Sequence, residues 1–262
     1  MEITILVDDS VYSSRQKGLI AEHGFAAAVG DVLLDTGQTD AAFRNAINVG
    51  IETDFETIVL SHSHYDHTGG LPAFLEGNPD VYAHPDAFTP KYDGNDGSFI
   101  GMPYSRARIE AESTLHLHRD PVEVAPDVWA LGEVPREYQD NPTGVVDAED
   151  GSRESDTVPD DQSLAVATDD GLLLICGCCH AGFRNTIEHA ENVTGQQVRY
   201  VIGGTHLKDL EVPEVEEIAE WLAGRIDVIA PCHCTGFDAQ HVLKAAMPEA
   251  FEQVGVGDTV EI

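Results

Sequence analysis

Apolar residues along this chain fall into short runs that alternate with helical periodicity, and the alternation is the first guide to its architecture. Residues 3–7, 25–29 and 32–34 read as strands, the last running into the turn Asp35-Thr36-Gly37. A helix is predicted near 40–48, ahead of the β-branched run Thr57-Ile58-Val59-Leu60, which has the composition of a strand buried on both faces. A helix around 71–76 and a strand at 81–83 follow. After a strand opening near Leu164, further apolar runs at 172–176, 200–202 and 228–230 alternate with amphipathic helices at 212–222 and 239–246. Strands alternating with helices predict a layered α/β fold. Two stretches lack either period: 89–108, with Gly, Pro and Arg, and 135–161, rich in Asp, Glu, Ser and Pro. Irregular segments of that length in a compact domain are expected to be lids or insertions over a cleft, or plain surface loops.

The chemistry concentrates at strand ends. Ser61 to Gly70 reads SHSHYDHTGG and places His62, His64, Asp66 and His67 in one HxHxDH cluster directly after the 57–60 strand. If extended geometry continues past Leu60, the period of two sends His62 and His64 to one side, where both imidazoles reach one ion. Asp66 and His67 then belong to the turn and suit a second ion, with Gly69 and Gly70 permitting a tight backbone path onward. The plain alternative is a surface loop that happens to be rich in histidine. Three later segments repeat the arrangement of a histidine after an apolar run: GCCHAG with His180, GGTHL with His206, and PCHCTG with His233.

With these pieces in view, the chain resembles the metallo-β-lactamase-fold hydrolase superfamily, and within it the subgroup related to dihydropterin-ribofuranosylaminobenzene-phosphate synthases. The resemblance covers nearly the whole chain. It implies an α/β fold, a four-layer αββα sandwich of the metallo-β-lactamase type, built as one domain over 1–262. It further implies two divalent metal ions, zinc first, with manganese or iron as alternatives. His62 and His64 would bind one ion, Asp66 and His67 the other, and His233, in the position of the family's C-terminal histidine, would complete the second site. Two family positions differ here. Where members carry a histidine before the strand near Leu164, this chain has Pro159-Asp160-Asp161-Gln162; where they carry a bridging aspartate, it has Gly177-Cys178-Cys179-His180. His180 is the expected substitute ligand, with Asp161 and Cys178 as further candidates.

The function implied is a metal-dependent hydrolase that uses a metal-activated water on a phosphoester, ester or thioester of a small molecule. Asp66 would orient the nucleophile while binding its ion. His206 would contact a substrate oxygen or act as a general acid, or else serve only as a hydrogen-bonding residue. A helix starting near 182–186 would aim backbone donors and Arg184 at an anionic substrate group. Three alternatives remain: an iron-dependent redox enzyme of the thiol dioxygenase type, a pterin-linked synthase, and a metal-binding protein without turnover. His84 precedes Pro85 and Asp86 and is expected to be structural, and His23, His116, His118, His189 and His241 lie in no convergent motif.

Composition narrows the setting. Acidic residues number 47 against 14 basic ones, for a formal charge of −33, and only four of the basic residues are lysines. The acidic side chains are spread over loops and helix faces, as in a halophilic cytoplasm where molar salt shortens the Debye length to about 3 Å. No basic stripe exists to neutralise phosphates, so nucleic acid is not an expected partner. No twenty-residue apolar run or signal peptide is visible, which predicts a cytoplasmic enzyme with neither membrane span nor lipid anchor, acting on a small molecule. The five cysteines, Cys176, Cys178, Cys179, Cys232 and Cys234, lack CxxC pairs, are odd in number and flank the histidine motifs. Buried thiols in a reducing compartment are expected, not disulfides.

Overall fold

The computed structural model describes residues 1–12, 17–148 and 150–262. Two large sheets dominate it. The first runs in the order Thr259–Glu261, Glu2–Val7, Ala26–Val29, Val32–Leu34, Thr57–Val59, Asp80–Ala83, Thr114–Leu117. The second runs Val228–Cys232, Val198–Gly204, Gly171–Cys176, Ser163–Thr168, Val128–Ala130, Val122–Ala125. Each sheet mixes antiparallel hairpins with a parallel block: 32–34, 57–59, 80–83 and 114–117 in the first, 171–176, 198–204 and 228–232 in the second.

The period-two alternation of each strand sorts its side chains into three cores. Ile3, Ile5, Ala27 and Leu34 of the first sheet meet Leu164, Val166, Leu173 and Ile175 of the second in the layer between the sheets. Their neighbours Leu33 and Ile58 face outward onto Ala41, Ala42 and Ala46 of the helix Ala41–Val49. On the far side, Leu172, Leu174 and Cys176 pack against the helices Phe183–Thr194, Val212–Leu222 and Phe237–Ala246. The result is helix, sheet, sheet, helix: the αββα sandwich. No helix among the described residues is long and apolar enough to cross a membrane.

The two irregular stretches prove to be partners. Lys91–Tyr92, from the first, pairs with Val145–Asp147, which pairs with Arg153–Ser155, from the second, as a small antiparallel sheet. Glu149, inside the second stretch, lies outside the described residues. Where a helix is expected at 71–76 the chain makes only a 3₁₀ turn, Leu71–Phe74. Pro72 sits at its start, and Gly77 and Asn78 take left-handed backbone just beyond, leaving too few residues for a second turn. The peripheral strands 114–117, 122–125 and 259–261 are only three or four residues long and largely half-buried or exposed, so their alternation is too brief to mark them in sequence.

Candidate metal centre

The parallel strands of both sheets deliver their carboxyl ends to the same edge of the sandwich. Asp35 follows 32–34, the histidine motif follows 57–59, Gly177 to His180 follow 171–176, His206 follows 198–204 and His233 follows 228–232. Loops at such ends are where α/β folds place ligands. Four of these residues, Asp35, Cys179, His206 and His233, have left-handed backbone with φ between 48° and 58°. Non-glycine residues take that conformation at a cost that the surroundings must hold in place, and such outliers gather at functional sites.

Two donor sets result. His62 Nε2 lies 2.9 Å from His64 Nδ1, and these two with His180 offer ligand atoms within 4.8 Å of one another. Beside them His67 Nε2 is 3.2 Å from His233 Nε2, and Asp66 Oδ2 is 3.6 and 3.7 Å from the same two nitrogens. The sets share a wall, the rings of His62 and His67 being 4.2 Å apart. Asp66 and His67 stand on the short helix Tyr65–Thr68, whose turn sends them away from His62 and His64. Gly69 and Gly70 have ordinary right-handed backbone, so positive φ is not their use. A Cβ on either would come within 2.1 Å of a carbonyl oxygen, that of Gln38 or of Thr36, so they are glycines because the chain passes against another backbone segment.

The second layer of hydrogen bonds fixes which nitrogen of each ring is free. Ser61 Oγ donates to Asp35 Oδ2 at 2.6 Å and so accepts from His62 Nδ1 at 2.9 Å. His67 Nδ1 donates to Asp35 Oδ2 at 2.7 Å, His233 Nδ1 to Asp9 Oδ1 at 3.2 Å, and His180 Nδ1 to the carbonyl of Asn141 at 3.1 Å. In all four rings the network places a proton on Nδ1 and turns Nε2 toward the cluster, the arrangement by which outer partners orient metal-binding imidazoles.

Electrostatics agree with this. Burial drives the imidazolium forms of His62 and His180 far down and that of His64 to about 4, so these rings are neutral. Burial also works against His67, but the carboxylates of Asp35 and Asp66 outweigh it and raise that ring to about 9. A positive charge is therefore favoured at His67 Nε2, where a cation would sit. Nε2 of His64, Nε2 of His180 and Nδ1 of His206 are buried with no hydrogen-bond partner. Buried polar nitrogens without partners are costly, and so many converging in one place fit a divalent ion.

The remaining expected residues are placed as follows. His206 reaches the edge of the cluster, its ring 4.3 Å from that of His180 and its Nε2 3.0 Å from Asp209. Cys178 Sγ is 3.3 Å from His67 Nε2. Asp161 accepts the backbone N–H of Ala181 at 2.9 Å, and burial raises its carboxyl to about 7. Its visible part is thus to brace the turn that carries His180. Arg184 lies in the first turn of the helix Phe183–Thr194, which starts where expected, but turns away from the histidines. Its guanidinium stacks 3.8 Å from the ring centre of Tyr138 and bonds Glu188, lining a separate cavity of about 250 Å³ with Trp221 and Leu210. His84 caps the 3₁₀ turn Pro85–Phe88 by accepting from Asp86 N, a structural role.

Some site residues went unassigned in the sequence. Asp35 orients two histidines, Asp8 Oδ1 accepts the backbone N–H of His233 at 2.7 Å, and Asp9 holds that ring. Asp8 and Asp9 follow the strand Glu2–Val7, and the same strand-end rule that flags the histidine motifs would have flagged them. His23 lies 3.3 Å from both Asp9 and Asp66 and lines the cavity over the cluster, about 170 Å³, together with Tyr65, Asp93 and Lys208. Nothing near His23 in sequence signals this.

Comparison with known proteins places this geometry in context. A family model described as the metallo-beta-lactamase superfamily matches residues 30–161. An uncharacterized protein of Methanocaldococcus jannaschii, MJ0448, is 34% identical over 246 residues, spanning 90% of this chain and 91% of that protein. The 7,8-dihydropterin-6-methyl-4-(beta-D-ribofuranosyl)-aminobenzene-5'-phosphate synthase of the same organism is 30% identical over 221 residues, 79% of this chain and 75% of that one. Among solved structures, Tm1679, described as a metal-dependent hydrolase of the beta-lactamase superfamily, superposes with a TM-score of 0.89 at 30% identity, covering 100% of this chain and 99% of the other. Zn(2+)-bound PqqB from Methylobacterium extorquens, at 11% identity, a TM-score of 0.55 and full coverage of both chains, shares the fold.

Proposed function

The chain belongs to the metallo-beta-lactamase superfamily, in the subgroup related to the dihydropterin-ribofuranosylaminobenzene-phosphate synthases, and on that premise we propose that it is a metal-dependent hydrolase of a small phosphoester, ester or thioester. The observation that carries the reading is the set of four buried imidazoles, His62, His67, His180 and His233, each with Nδ1–H donated outward and Nε2 turned toward the cluster. His62, His64 and His180 would hold one divalent ion, and Asp66, His67 and His233 a second. When bound, such ions supply Lewis acidity and acidify coordinated water.

The protein's own residues would do the rest. Asp66, whose carboxylate also faces His23, orients the attacking group; its carboxyl, raised by burial, is held below the usual range by the charges of His67 and His233. His206, buried beneath the cavity it lines, is placed to meet a substrate oxygen. Lys208 lines the cavity mouth in a chain of −33 charge and favours a substrate carrying an anionic group such as a phosphate. A phosphoester is therefore the first substrate class to try.

The test is metal content by elemental mass spectrometry on protein purified without added metal or chelator, joined to turnover of a chromogenic phosphodiester. About two equivalents of zinc, iron or manganese with turnover are expected, and His62→Ala and His233→Ala should lose metal and activity together. Full metal and normal turnover in both variants would overturn the assignment. A second reading, a pterin-linked synthase, is favoured by the 30% identity to the M. jannaschii enzyme over most of both chains. Metal-dependent product from a dihydropterin and a ribofuranosyl phosphate, without phosphodiester cleavage, would select it.

A further inference from the structure

Basic groups are scarce in this chain, so an unpaired one stands out. Of the four lysines, Lys91 is buried in ion pairs and Lys208 lines the cavity over the metal centre. Lys244 forms no ion pair among the described residues, and its ammonium stands 5.7 Å from the ring centre of Phe251. Both residues line a different groove, of about 300 Å³, beside the helix Phe237–Ala246. It shares no lining residue with the cavity over the metal centre.

The helix supplies its part of the lining through its own periodicity. Ala239 and Leu243 are buried in the core, which leaves Phe237, Gln240, His241 and Lys244, spaced i, i+3, i+4 and i+7, along the groove. Phe251, Gln253 and Tyr12 complete it, and the Tyr12 ring packs against Gly255, where a Cβ would lie 2.9 Å from it. No carboxylate lines this groove among the described residues, although acids outnumber bases 47 to 14 in the chain. Phe237 is 83% exposed, more than any other large apolar side chain among the described residues, and such a ring gains by being covered. Aromatic rings stack on a flat heterocycle, carboxamides read the edge of a base through a paired donor and acceptor, and an ammonium pairs with phosphate. The groove therefore carries a complementary group for each part of a nucleotide. With Lys244 and His241 as its basic groups it can meet one phosphate but cannot follow a polymer backbone, and its volume suits one nucleotide.

We propose that this groove is a binding site for a nucleoside monophosphate, with the base against Phe237 and Tyr12, an edge of the base on the carboxamides of Gln240 and Gln253, and the phosphate on Lys244 and His241. No bond is made or broken there. The site stands apart from the metal centre and does not depend on the reaction proposed for it.

The test is isothermal titration calorimetry of the full-length protein with AMP, GMP, CMP and UMP. At least one of the four is expected to saturate a single site per chain, and to do so equally after metal has been removed with a chelator. Phe237→Ala and Lys244→Glu should each weaken that binding at least ~10-fold. Both side chains are exposed, so the thermal midpoints of the two variants should match that of the wild type. Ribose 5-phosphate, which lacks the base, and the free nucleoside, which lacks the phosphate, should each bind at least ~10-fold more weakly than the nucleotide. No saturable binding by any of the four would overturn the site. Binding that survives both groove variants, or that vanishes with the metal, would overturn it in favour of the metal centre. Ribose 5-phosphate or the nucleoside binding as tightly as the nucleotide would overturn the ligand class.

Discussion

Lys91 Nζ lies 2.8 Å from Asp160 Oδ1, and the other oxygen of that carboxylate accepts the backbone N–H of Ser63, the residue between His62 and His64. The ammonium also bonds Asp156 at 2.6 Å, and all three side chains are buried. One of only four lysines in an intensely acidic chain is thus enclosed where it joins the small sheet to the metal loop. Removing one partner of a buried ion pair leaves uncompensated charge and costs about 3–5 kcal/mol. Lys91→Met is expected to lower the thermal midpoint by roughly ten degrees, at about 2–4 °C per kcal/mol for a chain of this size. A melt by circular dichroism that left the midpoint unchanged would refute the role assigned to Lys91.

The same lysine sets a direction for alkaline stability. Burial disfavours its charge, but Asp160 and Asp156 more than compensate, so its pKa is raised in the folded state. A raised pKa means that stability is fully present below the unfolded value, about 10.4, and is lost as pH climbs through the folded one. Urea unfolding should show the wild type losing stability above about pH 10.4, and Lys91→Met, already destabilised, should lack this component. Parallel curves for the two proteins would argue against it.

The fold was legible where strands are buried on both faces. The runs at 57–60 and 172–176 have no competing pattern, and each ends in a motif whose residue types announce ligands. The first cluster of donors was likewise readable, because HxHxDH puts four candidate ligands on six residues. What sequence could not supply is long-range pairing. Lys91 meets Asp156 and Asp160 across 65 and 69 residues, and the two stretches expected as lids, insertions or plain surface loops contribute strands to one small sheet. His23 joins the site only because its loop folds back over Asp9 and Asp66. Arg184 failed to reach the histidines for a local reason: Tyr138 and Trp221 offer its guanidinium two aromatic faces nearer by.

Gly70 offers a test of backbone crowding. A Cβ there would lie 2.1 Å from Thr36 O and 2.3 Å from Thr39 O, both main-chain atoms that cannot swing aside. Gly70→Ala is expected to cost about 1–3 kcal/mol, the usual range for overpacking. The urea midpoint should fall with its slope unchanged, since the surface exposed on unfolding is the same.

Removal of metal should weaken the fold as well as abolish chemistry. An ion held at a hundred times its dissociation constant stabilises the native state by about 2.7 kcal/mol, and two ions by more. Dialysis against a strong chelator is therefore expected to lower the thermal midpoint by at least roughly 5 °C, reversed by stoichiometric zinc. A midpoint indifferent to chelator and to added zinc would mean that the buried imidazoles are satisfied without an ion.

Asp35 separates orientation from folding most cleanly. Its carboxylate takes Ser61 N at 2.7 Å, Ser61 Oγ at 2.6 Å and His67 Nδ1 at 2.7 Å, and so controls a ring in each donor set, His67 directly and His62 through Ser61. Its backbone is left-handed, φ 57°, a conformation that asparagine tolerates nearly as well as any residue but glycine. Asp35→Asn therefore keeps the turn and one acceptor oxygen while removing the charge and putting an amide donor in place of the other oxygen. His67 can then no longer rely on a carboxylate to hold its Nδ1 proton and free Nε2. Partners of this kind are worth about 10–100-fold in metal affinity. Competition against a chromogenic chelator should show a loss in that range for Asp35→Asn, in the set built on His67 more than in the set built on His62. Unaltered affinity in both would mean that the carboxylate supports the turn and not the metal centre.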